Sequence, residues 1–458
     1  MPSAAINPTN LSGEEQNAVV RRVFMRILPL AFPMFILAYL DRVNLGYAQL
    51  GMGTQLGITA AGYATASSIF FIAYFFFEVP SNMLAQRFGS RIWLTRIMLT
   101  WGAITIVTAF VTNIHMLYVC RFLLGVAEAG FLPAMVLYLT VWFRGKDRAQ
   151  AMAWLFLAHP LAFLLGGVIG GLILDHVHWL GLSPWQWVFI LTGVPSVLFG
   201  FVVWKKLPTA PQSVSWLSEQ ESNWLVQELE DEGGPAAEPG LREQLSALLN
   251  GRVLYLSIAL LTFGVGFYGF NLFVPLILKQ INPDFSATNI GMAAVIPYAC
   301  ACIATVLLPR WANTQNRTLV AMIILAFALG MGLVGVIIFR QQPNLALLAL
   351  TFCGIGAFAF LPLFWAMTTI TLTKTHAIVG VAVINSMSNL GGFLGPYLVG
   401  KNISGTTVTT GLFVPVISCA ICVVFLLFWK RLLPKNSTAP ITTSSTSTEA
   451  ALPPTTSR

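Results

Sequence analysis

Charge is scarce in this 458-residue chain, in which only 9% of the residues are Asp, Glu, Lys or Arg and 56% are hydrophobic. Soluble globular proteins carry roughly 25% charged residues, so the composition excludes an ordinary soluble fold and indicates an integral membrane protein. The net charge of +8 does not indicate a nucleic-acid partner. The basic residues stand in short loops between apolar runs, where they set the topology of a membrane protein.

Cysteine is also sparse, and its placement excludes further classes. The six cysteines lie in or beside apolar runs, so we predict neither a disulfide framework nor a metal site. Cys419 and Cys422 have CxxC spacing, but apolar neighbours make core or lipid packing the better interpretation. The sequence shows no phosphate-binding loop and no nucleophile paired with a base. We therefore predict a protein without a cofactor and without enzymatic activity.

The chain does contain twelve apolar runs, each near the ~20 residues that a helix needs to cross a ~30 Å hydrocarbon core. Helices are predicted, because no alternating barrel pattern occurs and lipid offers no partners to free backbone groups. The runs are 23–47, 63–82, 92–111, 116–142, 149–174, 187–204, 253–278, 290–308, 319–339, 345–372, 378–399 and 411–433. Of the 25 Lys and Arg residues, 20 lie in segments on one predicted side of the membrane and 4 lie on the other. The richer side includes both termini, and basic residues prefer the cytoplasmic side, so both termini are predicted to be cytoplasmic.

An internal repeat divides the chain into two halves. GVAEAGFLPA beginning at Gly125 aligns with GIGAFAFLPL beginning at Gly354, an offset of 229 residues. We predict an all-α polytopic membrane protein of two pseudo-symmetric six-helix bundles, whose interface holds a binding site. Its parts are an N-terminal tail (1–22), a first bundle (23–206), a cytoplasmic linker (207–250), a second bundle (251–433) and a disordered tail (434–458). A capping pattern at Ser218 and Glu221 predicts a short helix within the linker.

Four ionisable residues interrupt the apolar runs: Asp41, Arg42, Arg121 and Glu128. A charge at membrane depth is costly, so it persists when it is paired, hydrated or functional. At 1.5 Å per residue, Arg121 and Glu128 lie about 8 and 18 Å below the outer surface. They share one helix face, and Gly125 between them is predicted to leave open space.

The two carboxylates and two arginines sum to zero charge, which predicts anion/proton symport. An incoming organic anion can take an arginine from its carboxylate partner, and the released carboxylate then binds a proton. The structural alternative is an ion-pair network that only locks helices together.

Softer candidates for the cavity wall are polar or aromatic residues inside the runs: Tyr39, Tyr74, His159, Trp365 and Asn385. His159 precedes Pro160, which predicts a broken helix at that point. Each candidate has a bland alternative, namely aromatic packing, a satisfied core histidine or hydrogen bonding between helices. Glu78 is either a gate residue or a simple interfacial group.

Several segments resemble the major facilitator superfamily, and specifically its anion:cation symporter branch. They are YLDRVNLGYA at Tyr39, FFEVPSN ending at Asn82, RFLLGVAEAGFLPA at Arg121 and VINSMSNLGGFLGP at Val383. The loop NMLAQRFGSR is similar to the superfamily signature between the second and third helices. It keeps Arg87, Gly89 and Arg91 as a conformational loop, but Gln86 replaces the acidic residue of the signature.

The resemblance implies roles for individual residues. Positions matching Asp41 and Glu128 carry coupling protons, and those matching Arg42 and Arg121 bind the substrate carboxylate or relay protons. The positions of Tyr39, Tyr74, His159, Trp365 and Asn385 line the substrate cavity, although histidine departs from the expected Gln or apolar residue.

Overall the chain looks similar to bacterial permeases for 4-hydroxyphenylacetate, phthalate and tartrate. We predict a monomeric, proton-coupled importer of a small aromatic or hydroxylated carboxylate in a bacterial inner membrane. The alternative on the same fold is an organic-anion exchanger or efflux carrier.

Overall fold

The computed structural model describes residues 11–232, 250–312, 314–372, 374–403 and 407–431. Within these ranges the chain forms α-helices joined by short turns. They are α1 (Gly13–Leu56), α2 (Ala60–Phe88), α3 (Ser90–Thr108), α4 (Ile114–Glu128), α5 (Phe131–Thr140), α6 (Gly145–His176), α7 (Pro184–Lys206), α8 (Glu219–Asp231), α9 (Gly251–Asn271), α10 (Val274–Ile281), α11 (Ala287–Trp311), α12 (Gln315–Ile338), α13 (Pro343–Thr371), α14 (Lys374–Lys401) and α15 (Phe413–Phe428). We call α1–α7 the first half and α9–α15 the second half.

The predicted all-α membrane architecture is confirmed. Among the described residues, ten helical segments are long and apolar enough to cross a membrane. The two remaining predicted spans are α3, whose 19 residues include Arg91 and Arg96, and α14, which has 28 residues. Large apolar side chains such as Phe76, Leu198 and Ile324 are exposed on the outside of the molecule. Such an apolar exterior fits a lipid environment, where only the backbone must be satisfied internally.

Two spans are broken, and neither break is the predicted one. The fourth span stops at Glu128 and resumes at Phe131, because Gly130 adopts the left-handed conformation with φ 81°. The seventh span stops at Asn271 and resumes at Val274. The break predicted at Pro160 is wrong, since α6 runs through it without interruption. A membrane helix tolerates an internal proline where neighbouring helices and local adjustments satisfy the one freed carbonyl.

The internal repeat has a structural counterpart. A Cβ atom at Gly125 would lie 2.2 Å from the carbonyl oxygen of Phe70 in α2, and one at Gly354 would lie 2.7 Å from that of Pro297 in α11. Phe70 and Pro297 stand 227 residues apart (297 − 70), close to the repeat offset. Each glycine thus lets its helix approach the backbone of a neighbour. The open space predicted beside Gly125 is therefore wrong, because α2 fills it.

The two halves meet along α6 and α11. A Cβ atom at Gly291 would lie 2.2 Å from the oxygen of Gly167, and one at Gly171 would lie 2.4 Å from that of Ala287. The carboxylate of Asp175 then accepts hydrogen bonds from the backbone N–H groups of Ala287 and Thr288, at 3.2 and 2.7 Å. A carboxylate at a helix N-terminus accepts hydrogen bonds from unpaired N–H groups, and its negative charge is attracted to the positive end of the helix dipole. Asp175 therefore joins the halves on the predicted outer side.

The predicted linker helix is present as α8. Ser218 caps it in a reciprocal pair of hydrogen bonds with Glu221, and its apolar side packs inwards. Arg22 binds Glu221 at 3.0 Å, which ties α8 to the first half. Burial raises the pKa of Glu221, but hydrogen bonds from Ser218 and Arg22 outweigh it and leave the pKa below its usual value. The rest of the linker, 233–249, and the tail predicted to be disordered lie outside the described residues.

Candidate functional site

The centre of the site is a buried ion pair between α1 and α4. Both the Nε and Nη2 atoms of Arg42 donate to Oε2 of Glu128, at 3.2 and 3.0 Å. Glu128 is 0% exposed and Arg42 is 8% exposed. Because α4 ends at Glu128, this carboxylate lies at the break of the fourth span. The other oxygen of Glu128, Oε1, has no hydrogen-bond partner in the part of the chain that the structure describes.

Aromatic rings surround the Arg42 guanidinium. Its Cζ atom lies 4.8 Å from the ring centre of Tyr39, 5.3 Å from that of Phe70 and 5.6 Å from that of Tyr74. Tyr268 of the second half also interacts with Arg42. Aromatic faces attract a guanidinium electrostatically, and more strongly where water is excluded. The predicted cavity residues Tyr39 and Tyr74 therefore do share one environment with Arg42.

The side chain of Asp41 points in a different direction from that of Arg42, because adjacent residues of an α-helix project about 100° apart. Its Oδ1 atom accepts hydrogen bonds from Thr105 at 2.5 Å and from Asn44 at 3.0 Å. The same Asn44 amide donates to Thr192 at 3.0 Å. Asp41 thus lies between α1, α3 and α7 within the first half. Its Oδ2 atom has no hydrogen-bond partner among the residues described.

Arg121 is the fourth member of the charged set. It is 3% exposed, and its guanidinium lies 5.1 Å from the ring centre of Phe70, which also contacts Arg42. Within the described residues, no carboxylate lies within ion-pair distance of Arg121, and its Nε atom lacks a hydrogen-bond partner. The four charged groups therefore form one direct pair and two separate single charges.

His159 forms an aromatic wall rather than a helix break. Its ring meets Tyr39 edge-on, with 3.6 Å between ring centres, and lies 6.5 Å from the ring of Phe358 in the second half. His159 is 7% exposed. The residue therefore stands beside Tyr39 where the two halves meet, as expected of a cavity residue.

Asn385 belongs to a second polar cluster. Its side-chain amide donates to Oε1 of Glu78 at 2.7 Å, while Ser386 and Asn389 donate to Oε2 at 3.3 and 3.2 Å. Glu78 is 3% exposed and belongs to α2, whereas its three donors belong to α14. Glu78 is therefore a buried contact between the halves and not a simple interfacial group. Trp365 stays apart from both clusters: of the ring contacts in the described chain, it makes one, with Phe364.

The predicted conformational loop is a one-residue turn. Gly89, with φ 83°, separates α2 from α3. Arg87 lies 5.7 Å from the ring centre of Phe88, and the Nε atom of Arg91 is buried without a hydrogen-bond partner. Just before this turn, Ser81 donates to the oxygen of Ala129 at 2.5 Å and so satisfies a carbonyl at the fourth-span break.

Sequence reasoning missed several residues of the site: Phe70, Thr105, Thr192 and Tyr268. Asn44 was within reach, because it follows Asp41 by three residues and so lies on the same helix face. Threonines in apolar runs carry no such signal, since most of them bond to their own helix.

A family model described as Major Facilitator Superfamily matches residues 31–396, which is most of the chain. The chain belongs to the major facilitator superfamily. It is therefore a multi-pass membrane transporter and not an enzyme. The resemblance stated from the sequence motifs is confirmed.

Named relatives of this transporter add detail. It is 36% identical over 398 residues to a putative tartrate transporter of Agrobacterium vitis. The matched region covers 85% of this chain and 89% of that protein. It is also 36% identical over 382 residues to a quinolone resistance transporter of Acinetobacter baumannii, covering 83% and 88%. Among solved structures, the partially occluded inward-open xylose transporter XylE of E. coli matches with a TM-score of 0.68. That match has 14% identity and covers 91% of this chain and 99% of XylE, so it supports the fold alone.

Proposed function

We propose that this transporter is a proton-coupled symporter that imports a small organic carboxylate by alternating access. The observation that carries the proposal is the buried pair of Arg42 and Glu128 beneath Tyr39 and Tyr74. The relative named as a tartrate transporter supports an organic anion as the substrate. The basic-residue bias supports a bacterial inner membrane location with both termini in the cytoplasm. A monomer is the simplest working unit.

The coupling step follows from charge balance. The carboxylate of the substrate binds Arg42 and replaces Glu128 as its partner. Glu128 would then be a buried charge without a partner, which is strongly unfavourable until it takes up a proton. One anion and one proton together restore the zero charge of the empty site, so the loaded halves can reorient. Reorientation with the anion alone would carry an unbalanced charge through the membrane.

Unpartnered oxygens support two proton sites. Both Glu128 and Asp41 use one carboxylate oxygen for hydrogen bonds and leave the other, Oε1 and Oδ2, without a partner within the described ranges. A proton can bind at the free oxygen without displacing an existing donor. We assign proton coupling to both carboxylates and carboxylate binding to Arg42 and Arg121. The turn at Arg87, Gly89 and Arg91 is assigned to the change between conformations.

The cavity wall comprises the residues that surround these charges. Tyr39, Tyr74 and His159 adjoin Arg42, whereas Trp365 and Asn385 are assigned to the second half of the wall. Asn385 reaches the substrate only after it leaves Glu78, to which it donates a hydrogen bond of 2.7 Å. Opening of the contact between α2 and α14 would release it.

Exchange or efflux is the second candidate, because a relative of equal identity is named as a quinolone resistance transporter. The same ion pair can serve an exchanger if one anion replaces another on Arg42 while Glu128 keeps its charge. The two candidates differ in whether protons move with the substrate.

The test uses the purified chain in proteoliposomes. Uptake of succinate, malate, tartrate and 4-hydroxyphenylacetate is measured together with the internal pH. We expect at least one carboxylate to enter with a stoichiometric acidification of the lumen. Glu128→Gln and Asp41→Asn are each expected to abolish accumulation driven by a pH gradient, while counterflow of substrate persists.

Two results would overturn symport. Undiminished proton movement in the double variant would remove both carboxylates from the mechanism. Net uptake by the wild-type protein without acidification of the lumen, and only when a counter-anion is loaded inside, would favour the exchanger. Ile324→Val, at an exposed side chain of α12 on the outside of the molecule, provides the control for expression and reconstitution.

A further inference from the structure

A narrow cavity lies between the two halves, next to Arg42. Its lining includes Arg42 and Tyr47 from α1, Asn271 at the end of α9, and Tyr298 from α11. Tyr47, Asn271 and Tyr298 are 1%, 3% and 2% exposed, so the cavity wall is deeply buried. Because α1 belongs to the first half and α9 and α11 to the second, movement of the halves changes the size of this space.

Among the described residues, two polar atoms of the cavity wall have no hydrogen-bond partner, the hydroxyl of Tyr47 and Oδ1 of Asn271. The orientation of the Asn271 amide is fixed, because its nitrogen donates to the oxygen of Phe267 at 2.9 Å. The amide oxygen is therefore the free group. Buried polar atoms in proteins are almost always hydrogen-bonded, so two free ones on one cavity point to something that binds there.

The fold holds these two groups in place. Asn271 is the last residue before the break of the seventh span, and the next carbonyl, that of Leu272, accepts a hydrogen bond from the Tyr63 hydroxyl. On the other side, a Cβ atom at Gly167 would lie 2.8 Å from the Tyr47 hydroxyl. A glycine at this position therefore makes room for the phenol. The break and the glycine together expose two polar groups that a regular helix would have covered.

The chemistry of the free groups specifies the ligand. An amide oxygen only accepts hydrogen bonds, whereas a tyrosine hydroxyl both donates and accepts. A carboxylate would be repelled by the amide oxygen, and an apolar group would leave it unsatisfied. A hydroxyl group fits, since it can donate to Asn271 and accept from Tyr47. Arg42, in the same wall, supplies the partner for a carboxylate.

We propose that the transported anion is a hydroxy acid, whose carboxylate binds Arg42 and whose hydroxyl group binds Asn271 and Tyr47. The inference rests on the proposed function, because it takes Arg42 to be the carboxylate site. It adds a specificity site for the hydroxyl group in the second half and on α1. A site built to bind a hydroxyl group discriminates strongly against the analogue that lacks it.

The test compares matched acids that differ by one hydroxyl group, malate against succinate and mandelate against phenylacetate. Uptake by the full-length chain in proteoliposomes gives kcat/KM for each acid. In the wild-type protein we expect the hydroxylated member of the transported pair to be favoured at least tenfold. Asn271→Leu and Tyr47→Phe are each expected to reduce this ratio towards one, mainly by slowing uptake of the hydroxylated acid.

The outcomes separate the two proposals. If no carboxylate binds or enters, the organic-anion function itself fails. If carboxylates enter but the hydroxylated and plain members are equal in the wild type, only the hydroxyl site fails. An equal loss of uptake for both acids of a pair in Tyr47→Phe would also overturn the hydroxyl site. Tyr47 and Asn271 would then only line the cavity or bind a water molecule. The wild-type ratio decides even if a variant does not fold, and Ile324→Val, at an exposed side chain of α12, is the control.

Discussion

The two copies of the internal repeat, α4–α5 and α13, have the same glycine contact but differ in charge and continuity. Glu128 and Arg121 of the first copy correspond to Ala357 and Leu350 of the second. The first copy breaks at Gly130, whereas the second is continuous through the equivalent Ala359. One copy therefore holds the charged pair at an interrupted helix, and the other is an uninterrupted apolar span.

This difference assigns separate tasks to the halves. The charged set and Glu78 lie in the first half, while the second half offers neutral hydrogen-bonding groups such as Asn271 and Asn385. A proton or anion bound in the first half changes its charge without changing the second half. Coupling then depends on contacts across the interface, among them Glu78 with Asn385. Three substitutions that make one copy resemble the other, and two at the glycines that the copies share, test this division.

Glu128→Ala gives the first copy the residue of the second and has the largest expected effect. Arg42 would remain buried without a carboxylate, which costs roughly 3–5 kcal/mol of unfolding free energy. Uptake in proteoliposomes is expected to fall to background, and the thermal unfolding midpoint in detergent to drop. Glu128→Gln separates stability from coupling, because its amide oxygen still accepts from Arg42. Its unfolding midpoint is expected to stay above that of Glu128→Ala, although accumulation driven by a pH gradient is lost. Substantial proton-coupled uptake by Glu128→Ala would contradict the assignment.

Gly125→Ala and Gly354→Ala test the feature that the copies share. A Cβ atom would lie 2.2 Å and 2.7 Å from a carbonyl oxygen of the neighbouring helix, so the backbone must move. Overpacking of this kind costs about 1–3 kcal/mol, and we expect the larger loss of thermal stability at Gly125. Gly251→Ala is the control, since a Cβ atom there has no neighbour within 4 Å. Equal stability of all three variants would contradict the close approach.

Gly130→Ala tests the break. Its φ of 81° is unfavourable for alanine by about 1–2 kcal/mol, and a Cβ atom would lie 2.5 Å from the Ser81 hydroxyl. Gly57→Ala at φ 65° has the same backbone cost but no neighbour within 4 Å. The excess loss of stability and uptake in Gly130→Ala over Gly57→Ala therefore measures the contact with Ser81. If the two variants behave alike, that contact contributes nothing.

Ala359→Gly gives the second copy the glycine of the first and has the smallest expected effect. Glycine inside a helix costs about 0.5–1 kcal/mol, and helical geometry remains open to it. We expect a slightly lower unfolding midpoint and unchanged uptake. A helix break in a structure of this variant would show that glycine alone interrupts the span.

The sequence predicted the helices and the set of four buried charges for one reason, which is that lipid makes polar residues rare. It did not specify which arginine pairs with Glu128. Apolar runs near the spanning length can be read directly, and a buried Glu128 needs a cation such as Arg42. The hydroxyl partners of Asp41 were not predictable, since Thr105 stands 64 residues away and ordinary threonines look the same. The pairing of Asn385 with Glu78 depends on how the halves dock, which no local pattern records.

The sequence predicted a helix break at Pro160 in α6, whereas the fourth span is broken at Gly130. The difference has a physical reason. A proline interrupts a helix only where the loss of its backbone hydrogen bond is not tolerated. In α6 the loss at Pro160 is tolerated, and the helix continues. Gly130 interrupts α4 because Ser81 and Arg96 satisfy the oxygens of Ala129 and Ala127, at 2.5 and 3.2 Å. Those donors come from other helices, so the break is a property of packing.

The contact of Asp175 with the start of α11 links this transporter to the ionic strength of its surroundings. The carboxylate is partly exposed and holds the two halves together through a helix terminus. Mobile ions screen an exposed charge over about 8 Å at physiological ionic strength and over about 3 Å at 1 M. Salt on the predicted outer side is therefore expected to weaken this contact between the two halves.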